Sequence, residues 1–64
     1  MRTNFIKVGT LLNIKHEVYG LAVVKSISYG IKRADDILFI YLLKVGVISR
    51  FPRGRVNDDE VICI

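Results

Sequence analysis

The chain has little of several residue types on which small proteins often depend. Among its 64 residues there is one cysteine, one proline and one histidine, and there is no tryptophan. A single cysteine excludes an intramolecular disulfide, whereas a domain of this size in an oxidising compartment usually carries several disulfides. We therefore expect a cytoplasmic protein.

Long apolar segments are also missing. The longest uninterrupted one is Ile37–Leu43, seven residues, whereas a membrane-spanning helix needs about 20. The start of the chain is interrupted by Lys7, Gly9, Asn13 and Lys15, so it lacks the continuous apolar stretch of a secretory signal. The sequence therefore predicts a soluble protein without a membrane partner, whose mature chain begins at Met1.

A large apolar share and an excess of cations are present instead. Hydrophobic residues make up 52% of the chain and charged residues 25%, which is typical of a folded chain rather than a disordered one. A chain this short builds one core, so we expect a single domain over residues 1–64. The net charge of +4 favours an acidic partner, such as nucleic acid or an acidic protein surface, or only aids solubility.

Short runs of β-branched and aromatic residues, separated by Gly, Asp and Asn, predict an all-β fold. No window keeps a helical spacing of apolar residues together with capping signals. Strands are expected at Thr10–Lys15, Leu21–Ser28, Ile37–Leu43, Val47–Phe51 and Glu60–Ile64. Five short strands predict a small closed barrel, because closure hides the edges of the sheet.

Alternation along the first two strands indicates which side chains face the core. Leu12 and Ile14 share one face of the first strand, and Ala22 and Val24 share one face of the second. Ile27 falls on the opposite face unless an extra residue reverses the alternation. We therefore expect a β-bulge in the second strand.

More aliphatic side chains are present than one face of each strand can bury. Ile37–Leu43 is apolar on both faces, so it is either a central strand covered on both sides or a strand whose outer face meets a second protein. A homodimer or a protein partner along a strand edge would cover the surplus. The surplus residues are Leu11, Leu21, Val23, Leu38 or Phe39, Ile40 or Tyr41, and Ile48 or Ile62.

The segments between the strands have the composition of exposed turns. Tyr29–Asp36 is expected to be a hairpin loop with one irregular turn. Arg53–Arg55 and Asn57–Asp59 are expected to form a corner with a single tight helical turn, while Phe51 faces the core. In Asp35-Asp36 and Asp58-Asp59 we expect solvated turn residues rather than acid–base pairs.

Part of the sequence resembles Tudor-like barrels, which lie at the C-terminus of UvrD-type DNA helicases and at the N-terminus of CarD-type transcription regulators. The resemblance is carried by "HEVYGLAVVKSI" and continues through Gly46 and Phe51 to the closing strand. Ala22 departs from the pattern, since a second glycine is usual there, and Ile37–Leu43 is unusually apolar. The matching residues are His16, Tyr19, Gly20, Ala22, Val24 and Ile27.

This resemblance implies a non-enzymatic docking module with a Src-homology-3-like fold. Such a module binds a protein, often RNA polymerase, or binds nucleic acid. A free-standing barrel of this length also resembles the small proteins with which bacteriophages bind and inhibit or redirect host machinery. The fold does not identify the partner.

Catalysis and metal binding have little support in the sequence. A nucleophile needs a neighbouring base and a third group that orients the base, and His16 and Cys63 are the only histidine and cysteine. A metal site needs three or four ligands at a suitable spacing, which His16, Asp35, Asp36 and Cys63 do not supply. We expect no enzyme activity, no cofactor and no metal.

The candidate partner-binding residues combine cations with apolar and aromatic side chains. Protein binding is the function expected first, and largely sequence-independent binding of DNA or RNA is the alternative. The arginine-rich corner, which comprises Arg50, Arg53 and Arg55, has two interpretations. Either it contacts nucleic acid, or Arg53 and Arg55 pair with Asp58, Asp59 and Glu60. The candidate residues are Lys25, Lys32, Arg33, Arg50, Arg53, Arg55, Tyr19, Tyr29, Leu21 and Val23.

Overall fold

Residues 6–15, 18 and 20–63 are described by the structure, a computed structural model. They form one antiparallel sheet with the strand order β4-β3-β2-β1-β5. The predicted all-β fold and the five strands are confirmed. The strands are β1 (Leu11–Asn13), β2 (Leu21–Ser28), β3 (Ile37–Leu42), β4 (Val47–Pro52) and β5 (Val61–Cys63).

The predicted closure of the barrel is wrong. β4 and β5 lie at opposite ends of the strand order, and no pairing joins them within the described ranges. β5 has three residues, and its pairing with β1 shifts register between Leu11 and Leu12. Within the described ranges the sheet is therefore open, with β4 and β5 as its edge strands.

The core lies on the inner face of the sheet. Leu12, Ile14, Ala22 and Val24 are fully buried, as the alternation of their strands predicts. Two residues of β3 join them, and residues before β1 and after β4 complete the cluster. These additional core residues are Leu38, Ile40, Ile6 and Val56, with Ile27, Leu42, Phe51 and Val61 packed against the cluster.

The predicted bulge in β2 is confirmed. Val24 pairs with Ile40 and Ser26 pairs with Phe39, which leaves Lys25 without an opposite residue on β3. The extra residue reverses the alternation, so Ile27 returns to the inner face and packs against the core. Lys25 is exposed on the outer face.

β3 occupies the position between β2 and β4, and its two faces have different environments. Leu38 and Ile40 are buried, while Ile37, Phe39 and Tyr41 alternate with them and are half-buried on the outer face. The sequence left the direction of these side chains open, and pairing with β2 and β4 decides it.

The connections described by the structure contain three short 3₁₀ turns, at Arg33–Asp35, Arg53–Arg55 and Asp58–Glu60. The irregular turn in the loop before β3 is confirmed, and the corner after β4 has two helical turns where one was expected. In the last turn, the buried Glu60 carboxylate accepts hydrogen bonds from the backbone N–H groups of Asn57, at 2.7 Å, and Lys15, at 2.8 Å. No helix in the described part of the chain is long and apolar enough to span a bilayer.

Candidate interaction surface

An apolar row of side chains crosses four strands on the outer face of the sheet. Leu11 pairs with Val23, Val23 with Tyr41, and Tyr41 with Ile48. Side chains that lie directly opposite each other on one face of an antiparallel sheet are in contact distance. The first three are half-buried, and Ile48 is 53% exposed. We refer to Leu11, Val23, Tyr41 and Ile48 as the outer row.

A groove lies beside the outer row, toward the other end of β3 and β4. Its volume is about 380 Å³. Phe39 is opposite Arg50, and Ile37 is opposite Pro52, so two cross-strand pairs line its floor. The groove is lined by Ser28, Ile37, Phe39, Arg50, Phe51 and Pro52. The outer row and the groove both lie on the outer face of the sheet.

The charge on the strands has one sign. The five strands contain two charged residues, Lys25 and Arg50, and both are exposed cations. The acidic residues that the structure describes all lie in connecting segments, and they are Asp35, Asp36, Asp58, Asp59 and Glu60. An anionic group that approaches the outer face therefore meets cations and no carboxylate from the strands.

Each of these two cations lies beside an aromatic residue of β3. The Nζ atom of Lys25 is 5.9 Å from the centre of the Tyr41 ring, a distance suited to a cation–π contact. Arg50 is the cross-strand neighbour of Phe39. Regular alternation from Val23 already places Lys25 on the outer side of β2, and the bulge leaves it without an opposite residue on β3.

The structure places three of the predicted binding residues on one side of β2, a fourth on the same side of β4, and the others elsewhere. Leu21 and Val23 are half-buried and Lys25 is exposed on the outer face of β2. Arg50 is exposed on the outer face of β4, with β3 between the two strands. Tyr29, Lys32 and Arg33 lie in the exposed loop before β3, and Arg55 is exposed in the turn after β4. Tyr19 lies outside the described residues.

Arg53 is not part of an exposed basic surface, contrary to the expectation from the sequence. Its side chain is 6% exposed, and its Nε donates to the Asp36 carboxylate at 3.1 Å. Its Nη2 donates to the backbone carbonyl of Ile6 at 3.2 Å. The buried guanidinium is tolerated because these contacts replace hydrogen bonds that it would otherwise make to water.

The expected solvation of Asp36 is also wrong. The residue is 4% exposed, and its second carboxylate oxygen accepts a hydrogen bond from the backbone N–H of Gly30 at 2.8 Å. Its backbone carbonyl accepts from the Arg53 N–H, also at 2.8 Å. Asp36 and Arg53 therefore join the loop before β3 to the turn after β4.

Two side chains of the acidic turn before β5 bind groups outside the arginine-rich corner. Asp59 forms an ion pair with Lys15, and Glu60 is held by backbone N–H groups. The hydrogen bond from Lys15 lowers the pKa of the Asp59 carboxyl, and the same bond raises the pKa of Lys15. Both groups are exposed to solvent, so this pair is a surface contact.

Among the described residues no group of three His, Cys, Asp or Glu side chains is placed to hold a metal ion. His16 lies outside the described residues. The sequence named Phe39 and Tyr41 only as alternatives to Leu38 and Ile40 among the surplus apolar residues. It did not identify Ile37 or Pro52 as site residues. The apolar residues on both faces of β3 were the sequence signal for this surface. The pairing registers of β2, β3 and β4 are needed to show which of these side chains line it together.

Comparisons with family models, with curated proteins and with solved structures find no match for this chain.

Proposed function

We propose that this chain is a non-enzymatic interaction module, which binds a protein of the transcription or nucleic-acid machinery through its outer face. The observation that carries the proposal is the outer row, an apolar surface that crosses four strands and is bordered by Lys25 and Arg50. Contiguous exposed apolar surface of this kind marks association sites in small soluble proteins.

The residue types on the outer face are those that dominate protein interfaces. Aromatic side chains and arginine are enriched where truncation costs most binding energy, and here Tyr41, Phe39 and Arg50 lie close to one another. Aliphatic residues surround them, and the strands contribute no carboxylate. The partner surface that fits is apolar with acidic groups at its border.

The class of partner comes from the resemblance to Tudor-like barrels. The antiparallel five-stranded sheet and the 3₁₀ turn before β5 support an Src-homology-3-like assignment, which is part of this proposal. RNA polymerase is the first defined probe to test, because modules of the resembling type often bind it. Action as a phage-encoded inhibitor belongs to the same proposal.

The test replaces an outer-row residue and a matched exposed residue elsewhere. Val23→Asp introduces a charge into the outer row, whereas Ile31→Asp makes the same kind of change in a loop, at a side chain that is 99% exposed. Binding of purified RNA polymerase is measured for both variants, and circular dichroism checks that both are folded. The same bait variants are used in affinity purification with identification of the bound proteins.

Val23→Asp should abolish association with the identified partner, and Ile31→Asp should leave it unchanged. Retention of the partner by folded Val23→Asp would exclude the outer row as the binding surface. Equal loss in both variants would point to a nonspecific effect of added negative charge and would also count against the proposal.

Direct nucleic-acid binding is the second candidate, because a cation beside an aromatic ring also suits a stacked base and its phosphate. The outer face offers two cations, and two phosphate contacts to a single strand give a salt slope of only about −1.4. Arg50→Ala and Arg55→Ala in a gel shift at several salt concentrations separate the candidates. A slope much steeper than this value, reduced by both substitutions, would favour nucleic acid.

A further inference from the structure

β4 is a long regular strand at the edge of the sheet. It has six residues, and it pairs with β3 without a register shift. Among the residues that the structure describes, its other side has no partner strand. The opposite edge is different, because β5 has three residues and its pairing is irregular. Edge strands are usually protected by brevity, by bulges, by charged residues or by proline. β4 is neither short nor bulged, and its protection is limited to one charged residue, Arg50, and the terminal Pro52.

The side chains of β4 alternate between the two faces. Ile48, Arg50 and Pro52 lie on the outer face, because they are opposite Tyr41, Phe39 and Ile37. A segment that paired with the free side of β4 would place every second side chain next to one of these three residues. Ile48 is apolar, Arg50 is cationic, and Pro52 lines the groove.

We propose that the partner supplies an extended segment that adds to the free side of β4 and carries an apolar, an acidic and an apolar residue at alternating positions. The inference rests on the proposed function and names the recognition mode. The central carboxylate meets Arg50, whose planar guanidinium suits two parallel hydrogen bonds to a carboxylate. One flanking apolar side chain packs on Ile48, and the other enters the groove beside Pro52.

The charge distribution argues for a different protein rather than a second copy of this chain. The five strands that the structure describes contain no acidic residue, so none of them in a second copy offers a carboxylate to Arg50. A symmetric pairing of two β4 strands centred on Arg50 would place two guanidinium groups opposite each other. Like charges directly opposite on neighbouring strands are destabilising.

The test uses two displayed libraries of short peptides and the full chain as bait. The central residue is fixed as Glu in one library and as Lys in the other, and the remaining positions are random. We expect enrichment from the Glu library only, with apolar residues two positions before and after the Glu. Enrichment that is equal in both libraries, or absent from both, would overturn the inference.

Alternate N-methylation of the best peptide then separates strand addition from binding by side chains alone. In an added strand, every second N–H points toward β4 and the others point away. One methylated set should lower affinity by about tenfold or more, while the complementary set binds as the parent does. If both sets bind equally well, the segment does not add as a strand.

Charge reversal at Arg50 provides the control for specificity. Arg50→Glu should reject the Glu peptide and bind the peptide in which that Glu is replaced by Lys, while Arg55→Glu keeps the original preference. Self-association through β4, detected by light scattering and lost in Arg50→Glu, would overturn the choice of partner. If Val23→Asp abolishes protein binding but the peptide experiments fail, the proposed function stands and this recognition mode does not.

Discussion

Arg53 and Asp36 form an ion pair in the interior of the protein, with 3.1 Å between Nε of the guanidinium and Oδ2 of the carboxylate. Their side chains are 6% and 5% exposed. The pair connects the loop before β3 with the turn after β4, and the same guanidinium bonds to the Ile6 carbonyl. Three segments that are distant in sequence are therefore held together at the end of the sheet where β4 stops.

Removal of one member of this pair should destabilise the protein strongly. Asp36→Ala leaves the guanidinium of Arg53 buried without its counter-charge, which costs about 3–5 kcal/mol in comparable pairs. Asp35→Ala is the matched control, because Asp35 is exposed and a surface substitution is expected to change stability by less than about 0.5 kcal/mol. Urea unfolding followed by circular dichroism measures both. Similar midpoints for the two variants would show that the pair is not structurally important.

Gly20 should not tolerate a side chain. An added Cβ atom would lie 2.0 Å from the backbone oxygen of Ile14, so the residue after β1 and the residue before β2 would have to move apart. We expect Gly20→Ala to lower the free energy of unfolding by about 3 kcal/mol, at the upper end of typical overpacking costs. Gly54→Ala is the comparison, because its nearest atom would be 3.1 Å away, and its effect should be clearly smaller. The same unfolding measurement ranks the two, and the reverse order would contradict the close approach.

The two faces of the sheet should respond differently to truncation. Ile40 is 1% exposed on the inner face of β3, and Ile40→Ala should cost about 2–5 kcal/mol. Ile48 is 53% exposed on the outer face of β4, and Ile48→Ala should cost less than about 1 kcal/mol. Thermal unfolding distinguishes these ranges. A larger effect at Ile48 than at Ile40 would mean that the outer row belongs to the core.

The Lys15–Asp59 pair predicts a measurable titration. The pKa of Asp59 should lie below its ordinary value, because Lys15 hydrogen-bonds to the ionised form, and Lys15→Met should return it toward that value. Because the pKa of Asp59 is lowered in the folded protein, the contribution of the pair to stability is present at neutral pH and is lost as the pH falls through the lowered pKa. NMR titration of the Asp59 carboxyl carbon in both proteins measures it. An identical pKa in the two proteins would show that the contact does not form in solution.

Local alternation predicts much of this fold. The spacing of Leu12, Ile14, Ala22 and Val24 identified core residues, and the position of Ile27 predicted the bulge, because strand periodicity is a property of adjacent residues. For the same reason, turn composition predicted the irregular turn before β3 and a helical turn after β4, although two such turns follow β4. Barrel closure was predicted incorrectly, since it depends on how the distant strands β4 and β5 meet, and no local pattern describes that.

By itself, the sequence determined the strand content, the single core and the excess of positive charge, because composition and a period of two residues act over short distances. The tertiary structure alone decided that Arg53 is buried against Asp36 while Arg50 stays exposed, although both arginines belong to one short basic segment. It also aligned Leu11, Val23, Tyr41 and Ile48 in one row. The physical reason is that burial and alignment depend on which distant backbone groups pair, and that choice is made by the packing of the whole sheet.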